Sequence, residues 1–265
     1  MRKLFIYMVI GLLCSCEVIR EEDRLIPIPV EGRHVLIEYT GFRCVNCPTA
    51  SETAQALAGL YGGQLIVVAM HPASNPFTRG AYDYTCPAAD SVYQLMGGTA
   101  TTPFPCGNID LAKTDGDYLL DPLEWAGALT RRGAATHAPY LHAIATADTV
   151  TGRMEVACTT FSDSLPDCRL AIWLVEDSVD GVQAMPDGTV NMHYMHRHML
   201  RGAADNQPFG TPVKLTRTAE VITRNVQLPD GCNPAHCRIV ALLLDNNDYH
   251  LLQAYETTVY FIANP

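Results

Sequence analysis

The sequence predicts an α/β domain followed by an all-β sandwich domain. Three observations carry this reading. Strand-like and helix-like segments alternate up to about residue 133. The texture changes at Gly133–Pro139. Beyond that point come strand-like runs at short spacing, separated by turn residues, with no helical periodicity. A chain of 265 residues that is 48% apolar is long enough for two ordinary domains with packed cores. The net charge of −10 and the lack of a basic stripe argue against nucleic acid as a partner.

The first residues read as a targeting segment. Arg2 and Lys3 precede a short apolar stretch, Leu4 to Leu13, too short to span a bilayer as a mature helix. Leu13-Cys14-Ser15-Cys16 then resembles a bacterial lipobox. Small Ser15 makes Cys16 the residue expected to be acylated, whereas bulky Leu13 fits Cys14 poorly. An ordinary secretory signal cut nearby is the other reading. Residues 1–15 are thus a lipoprotein signal peptide, and Cys16 anchors the chain to a membrane. Removing Arg2 and Lys3 leaves a charge of −12. Residues 16–30 form a tether, acidic over Glu17–Asp23 and ending in Ile26-Pro27-Ile28-Pro29.

The α/β domain is expected over residues 31–133. His34–Thr40 and Leu65–Met70 are apolar runs that read as buried strands. Between them Ala50, Ala54, Leu57 and Leu60 mark one face of a helix that starts at Pro48 and stops at Gly62-Gly63. A polar loop follows His71-Pro72, then a short helix near 88–96. Thr102–Asp110 reads as a proline turn leading into a strand. A helix to about Arg132 opens with Asp121 as its N-cap. The sandwich is expected over 137–265, with strands near 140–148, 153–161, 169–176, 192–200, 219–228, 238–245 and 251–262. Asp180-Gly181 is among the turns between them.

The chemistry centres on Cys44-Val45-Asn46-Cys47, set between a buried strand and a helix start. Unpaired N–H groups and the partial positive charge of a helix N-terminus stabilise a thiolate there. The strand–CxxC–helix context resembles the thioredoxin-like fold. In that reading Cys44 is the exposed nucleophile and Cys47 the resolving thiol. Pro105 is the expected cis-proline beside them, with Pro103 second. Val45 and Asn46 do not tell the redox direction. Glu38, in the strand before the motif, is expected at an edge or facing solvent; a buried acid for proton transfer, which thioredoxins carry near there, is the other reading. The competing reading of Cys44–Cys47 is a static disulfide, and the enzymatic assignment stays open.

Ten cysteines, less Cys14 and Cys16, leave eight, and an even count in an exported chain suggests disulfides. Proximity pairs Cys44 with Cys47, Cys158 with Cys168 and Cys232 with Cys237, leaving Cys86 with Cys106. A zinc site is disfavoured, because there is no second CxxC and Cys232-x4-Cys237 is loosely spaced. His196 and His198 would share a strand face, with His193 opposite. Without a third ligand, a structural or interface role is expected for them. No metal or cofactor is expected.

Tyr39-Thr40-Gly41-Phe42-Arg43-Cys44-Val45-Asn46-Cys47-Pro48 resembles the thioredoxin-like half of the Omp28-related outer membrane lipoproteins of Bacteroidota. Leu170–Asp177 and His193–Arg201 are similar to strands of that family's second half, so the resemblance covers about residues 33–262. It implies a cell-envelope location at the outer membrane, surface-exposed if the acidic stretch after Cys16 acts as a sorting signal. It implies no settled activity. Thiol–disulfide exchange with a protein partner and a non-catalytic surface binding or assembly module both remain open. Cys158, Cys168, Cys232, Cys237 and Asp110 depart from the family pattern.

Overall fold

The computed structural model describes residues 32–133, 138–148 and 151–262. The signal segment, Cys16 and the tether lie outside the described residues. Among the described residues no helix is long and apolar enough to cross a membrane.

The first part is a mixed α/β arrangement. β1 (His34–Tyr39) pairs in parallel with β2 (Leu65–Met70) across the connecting helix α1 (Cys47–Tyr61). β3 (Cys106–Ile109) lies antiparallel on the other side of β1. α2 (Pro87–Leu95) and α3 (Trp125–Arg132) complete it. Local chemistry sets the helix ends. Gly62 closes α1 in the left-handed conformation, its N–H donating to Ala58 O at 3.1 Å. Asp121 and Glu124 form a reciprocal capping box on the 3-10 turn that leads into α3. Ala50, Ala54 and Leu57 are the buried stripe of α1, but Leu60, in its last turn, is 81% exposed.

The second part is mostly β: β4 (Tyr140–Asp148), β5 (Arg153–Phe161), β6 (Asp167–Glu176), β7 (Val179–Ala184), β8 (Val190–His196), β9 (Met199–Ala203), β10 (Thr211–Lys214), β11 (Glu220–Gln227), β12 (Cys237–Asp245) and β13 (Leu251–Ile262). Both parts share one sheet, ordered β11-β5-β4-β13-β12-β6-β9-β2-β1-β3, with β10 on the side of β6. β7 and β8 form a separate two-stranded hairpin.

Three apolar cores explain the layering. Leu36, Val67 and Ile109 pack under α1 and α3 with Trp125. The opposite face of the same strands, with Ile37, Tyr39 and Val68, packs under α2 and runs on without a break to Trp173 and Leu242. The other faces of β6 and β12 meet β4, β5 and β11 through Ile172, Ala241, Ala143 and Val156. β6 and β12 are therefore apolar on both sides, which explains their near-continuous hydrophobic runs.

Two differences from the sequence reading matter for the site. The strand expected over 192–200 is two strands, broken at Arg197-His198, where His198 takes a left-handed φ of 53° and its N–H donates to Asp177 Oδ1. His196 and His198 therefore do not share a strand. Asp180-Gly181, expected as a turn, lies inside β7. Gly181 is needed there for close approach, because a Cβ would overlap the Tyr84 ring.

A buried latch fixes the start of β1. His34 Nδ1 meets Asp110 Oδ2 at 2.7 Å, and His34 Nε2 meets Gly133 O at 2.8 Å. A carbonyl can only accept, so Nε2 carries a proton. A carboxylate opposite Nδ1 then favours the doubly protonated ring. The Asp110 hydrogen bond raises the His34 pKa against the cost of burial. Asp110 also accepts from Val35 N at 2.8 Å. Because the folded-state pKa is raised, this contribution is complete below the unfolded value of 6.5 and is lost as pH rises through the folded value. The stability gap between wild type and Asp110→Asn, measured by thermal unfolding, should therefore be wide near pH 6 and narrow as pH rises.

Candidate redox site

β1 ends under the loop that carries the cysteines. Thr40 N donates to Met70 O, and Cys44 N donates back to Gly41 O, both at 3.0 Å, which turns the chain into α1. Gly41 is required because a Cβ would lie 2.6 Å from Phe77 O. Cys44 and Cys47 form a disulfide, with Cys47 as the first residue of α1 and Pro48 tolerated in its first turn. No acidic residue in that turn offsets the positive helix end. The Phe104–Pro105 peptide is cis. Cys106, next to it, is buried in the same core as Cys44 and Cys47.

The structure corrects the reading of Cys44 as an exposed nucleophile. Cys44 is 2% exposed and Cys47 1%, whereas Val45 between them is 45% exposed. The cover comes from the second half of the chain. Gln183 on β7 donates through Nε2 to Cys44 O at 2.9 Å and Gly41 O at 3.4 Å. Ala184 N donates to Phe42 O at 2.7 Å. Val182 N donates to the Tyr84 hydroxyl at 2.8 Å. Sequence reasoning missed Gln183, because nothing in its neighbourhood marks it as close to residue 44.

Glu38 is the second correction. β1 is covered on both faces, so Glu38 is 2% exposed rather than facing solvent. Its side chain points beneath α1, where Ser51 Oγ donates to Oε1 at 2.6 Å. Burial, partly offset by Ser51, pushes its pKa up to about 7. Glu38, Cys47, Ser51, His71, Tyr194 and His196 line one small cavity of about 20 Å³.

The three further bridges expected from proximity are absent. Cys86, Cys106, Cys158, Cys168, Cys232 and Cys237 are free thiols. Cys86 donates to Leu200 O and Cys237 to Asn233 O, while Cys232 accepts from Arg201 Nε at 3.1 Å. Cys158 and Cys168 are buried among the side chains of the β-rich core. Burial pushes the Cys106, Cys158 and Cys237 thiols up to about 12, so they are poor nucleophiles. Among the described residues the acidic and histidine groups close enough to share a metal ion are Asp245, Asp248 and His250. They sit in the turn between β12 and β13, where His250 Nδ1 is already bonded to Asp248.

The raised Glu38 pKa makes a stability prediction. The folded chain holds this proton more tightly than the unfolded chain, so stability is lost as pH rises from about 4.5 to about 7. Glu38→Gln should be more stable than wild type at pH 8, by on the order of 2–3 kcal/mol. The advantage should fade below pH 4.5, as read by denaturant unfolding at both values.

Comparison with known proteins places this geometry. HBP35 of Porphyromonas gingivalis superposes with a TM-score of 0.69 at 15% identity, over 89% of this chain and 80% of that one. A protein of Agrobacterium tumefaciens superposes with a TM-score of 0.52 at 11% identity, over 84% of this chain and 92% of that one. A domain of the outer membrane lipoprotein Omp28 from P. gingivalis aligns over 48% of this chain and 91% of its own length, at 18% identity and a TM-score of 0.33. At these identities the first two likenesses are of fold. Comparison with curated proteins returns no match. Residues 102–259, more than half the chain, match the family described as "Outer membrane protein Omp28", and the chain belongs to that family.

Proposed function

We propose that this chain is an outer-membrane lipoprotein, anchored through Cys16, whose thioredoxin-like domain exchanges thiols and disulfides with a protein partner. A β-sandwich domain completes it and supplies the cover over the redox pair. The lipobox and the family's description support the location.

The observation that carries the chemistry is Glu38. A carboxyl buried at 2% exposure, in the cavity that also holds Cys47, costs stability and would bring a static staple no benefit. In exchange it has a use. Starting from the reduced pair, the Cys44 thiolate attacks a partner disulfide and releases one partner thiolate. Cys47 then loses its proton to Glu38 and attacks the Cys44 sulfur, which releases the second. Two electrons pass from the dithiol to the partner, and Cys44–Cys47 is left oxidised. With a pKa of about 7, Glu38 is matched to accept that proton near neutral pH. The cis Phe104–Pro105 bond supports the fold reading.

The 2% exposure of Cys44 favours a second reading, a surface binding or assembly module with a permanent disulfide. Access separates the two. Exchange requires the β7–β8 hairpin to lift from Gly41, Phe42 and Cys44. Removing the Gln183 hydrogen bonds to Gly41 and Cys44 should make this easier, by roughly five- to thirtyfold at about 1 kcal/mol for each bond. Gln183→Ala should therefore speed reduction of the disulfide by a small dithiol, followed by alkylation of Cys44. In cells, Cys47→Ser should trap mixed disulfides through Cys44, and Cys44→Ser should not. If Cys44 resists alkylation after mild reduction and Cys47→Ser traps nothing, the exchange reading fails and the permanent disulfide stands.

A further inference from the structure

The cavity beneath Cys47 brings together groups from three separate parts of the chain. Glu38 comes from β1, His71 follows β2, and His196 ends β8. Its volume of about 20 Å³ is enough for one water molecule. His71 is 2% exposed, yet neither ring nitrogen has a hydrogen-bond partner in the protein. Buried polar atoms almost always have one, commonly an ordered water. His196 has no such need at Nε2, which donates to Val182 O at 3.2 Å. Its ring stands edge-on to His71 with 5.7 Å between centroids, and Tyr84, itself 4.9 Å from His196, packs edge-on against His71 at 5.8 Å. His71 is thus held by rings, with its nitrogens free for a small polar molecule.

We infer that His71, steadied by His196 and Tyr84, holds a water in this cavity against Glu38 and Cys47, and that this water carries the proton between them. The role in proton transfer rests on the exchange reading above; the water site does not. The step balances: Cys47 gives its proton to the water as the water gives one to the Glu38 carboxylate, and the negative charge moves from carboxylate to sulfur. Burial, with the charges of His196 and Arg201 nearby, holds the His71 pKa down at about 3. His71 is therefore neutral, with one donor and one acceptor nitrogen, as binding water requires. The other titratable groups around the cavity are Tyr194, Arg197 and His198. His71 is a positioning residue, and the hairpin that covers Cys44 also completes the chamber under Cys47.

Three measurements test this. A high-resolution crystal structure of the oxidised wild type should show an ordered water bonded to His71 and Glu38; a dry cavity overturns the inference. The Glu38 titration, followed by carboxyl-carbon NMR on the oxidised protein, should move upward in His71→Phe and return in His71→Gln, which restores a polar partner. An unchanged midpoint overturns it. Exchange with a disulfide-bonded peptide should slow on the order of tenfold in His71→Phe and recover in His71→Gln. A wild type that never turns over removes the exchange reading and the proton-transfer role together, while the first two measurements still decide the water site.

Discussion

β1 is enclosed on every side. β2 and β3 take its two edges, and apolar layers cover both faces, so all six of its residues are buried. Much else follows from that confinement. Ile37 and Tyr39 anchor one core and Leu36 another. The imidazole of His34 can be accommodated only by pairing it with Asp110 and Gly133. Glu38 cannot reach water, so its carboxyl is left with Ser51 and the cavity under Cys47. A buried strand of this kind tolerates a carboxyl only at a cost.

The second constraint is the continuity of the sheet. β6 and β12 are packed on both faces, and β9 joins β6 to β2 through the single pairing of Ala69 with Met199. The hairpin of β7 and β8 leaves the end of β6 and returns into β9, which brings it over the loop between β1 and α1. Gln183 and Ala184 then bond to the backbone of that loop. The reactivity of Cys44 is therefore decided by residues some 140 positions away in the chain. A thiol–disulfide pair open to solvent and one under a hairpin have the same local sequence and different chemistry.

The free cysteines illustrate the same point. Parity and spacing suggest bridges, but in the folded chain Cys86, Cys106, Cys158, Cys168 and Cys237 pack as small side chains inside two of the cores. Burial raises their pKa values and keeps the thiols un-ionised. Among the described residues only Cys44 and Cys47, at the positive end of α1, are joined.

Local pattern was enough to read β1, α1, β2, α2, the capped start of α3, and the outlines of β4, β5, β6, β12 and β13. Each of these depends on periodicity, a cap or a turn residue within a few positions. The placement of the CxxC at a helix start was legible in the same way, whereas the cis bond at Pro105 was expected from the resemblance to thioredoxin-like folds. Gly181 and the break at His198 were not, because each answers to a neighbour outside its own local pattern: the Tyr84 ring and Asp177. By itself the sequence determined a CxxC between a buried strand and a helix. Only the tertiary structure decided that the disulfide is covered, that Glu38 is buried with it, and that His71 faces the same chamber. Exposure and solvation are set by what packs against a residue, and here that packing comes from the opposite half of the chain.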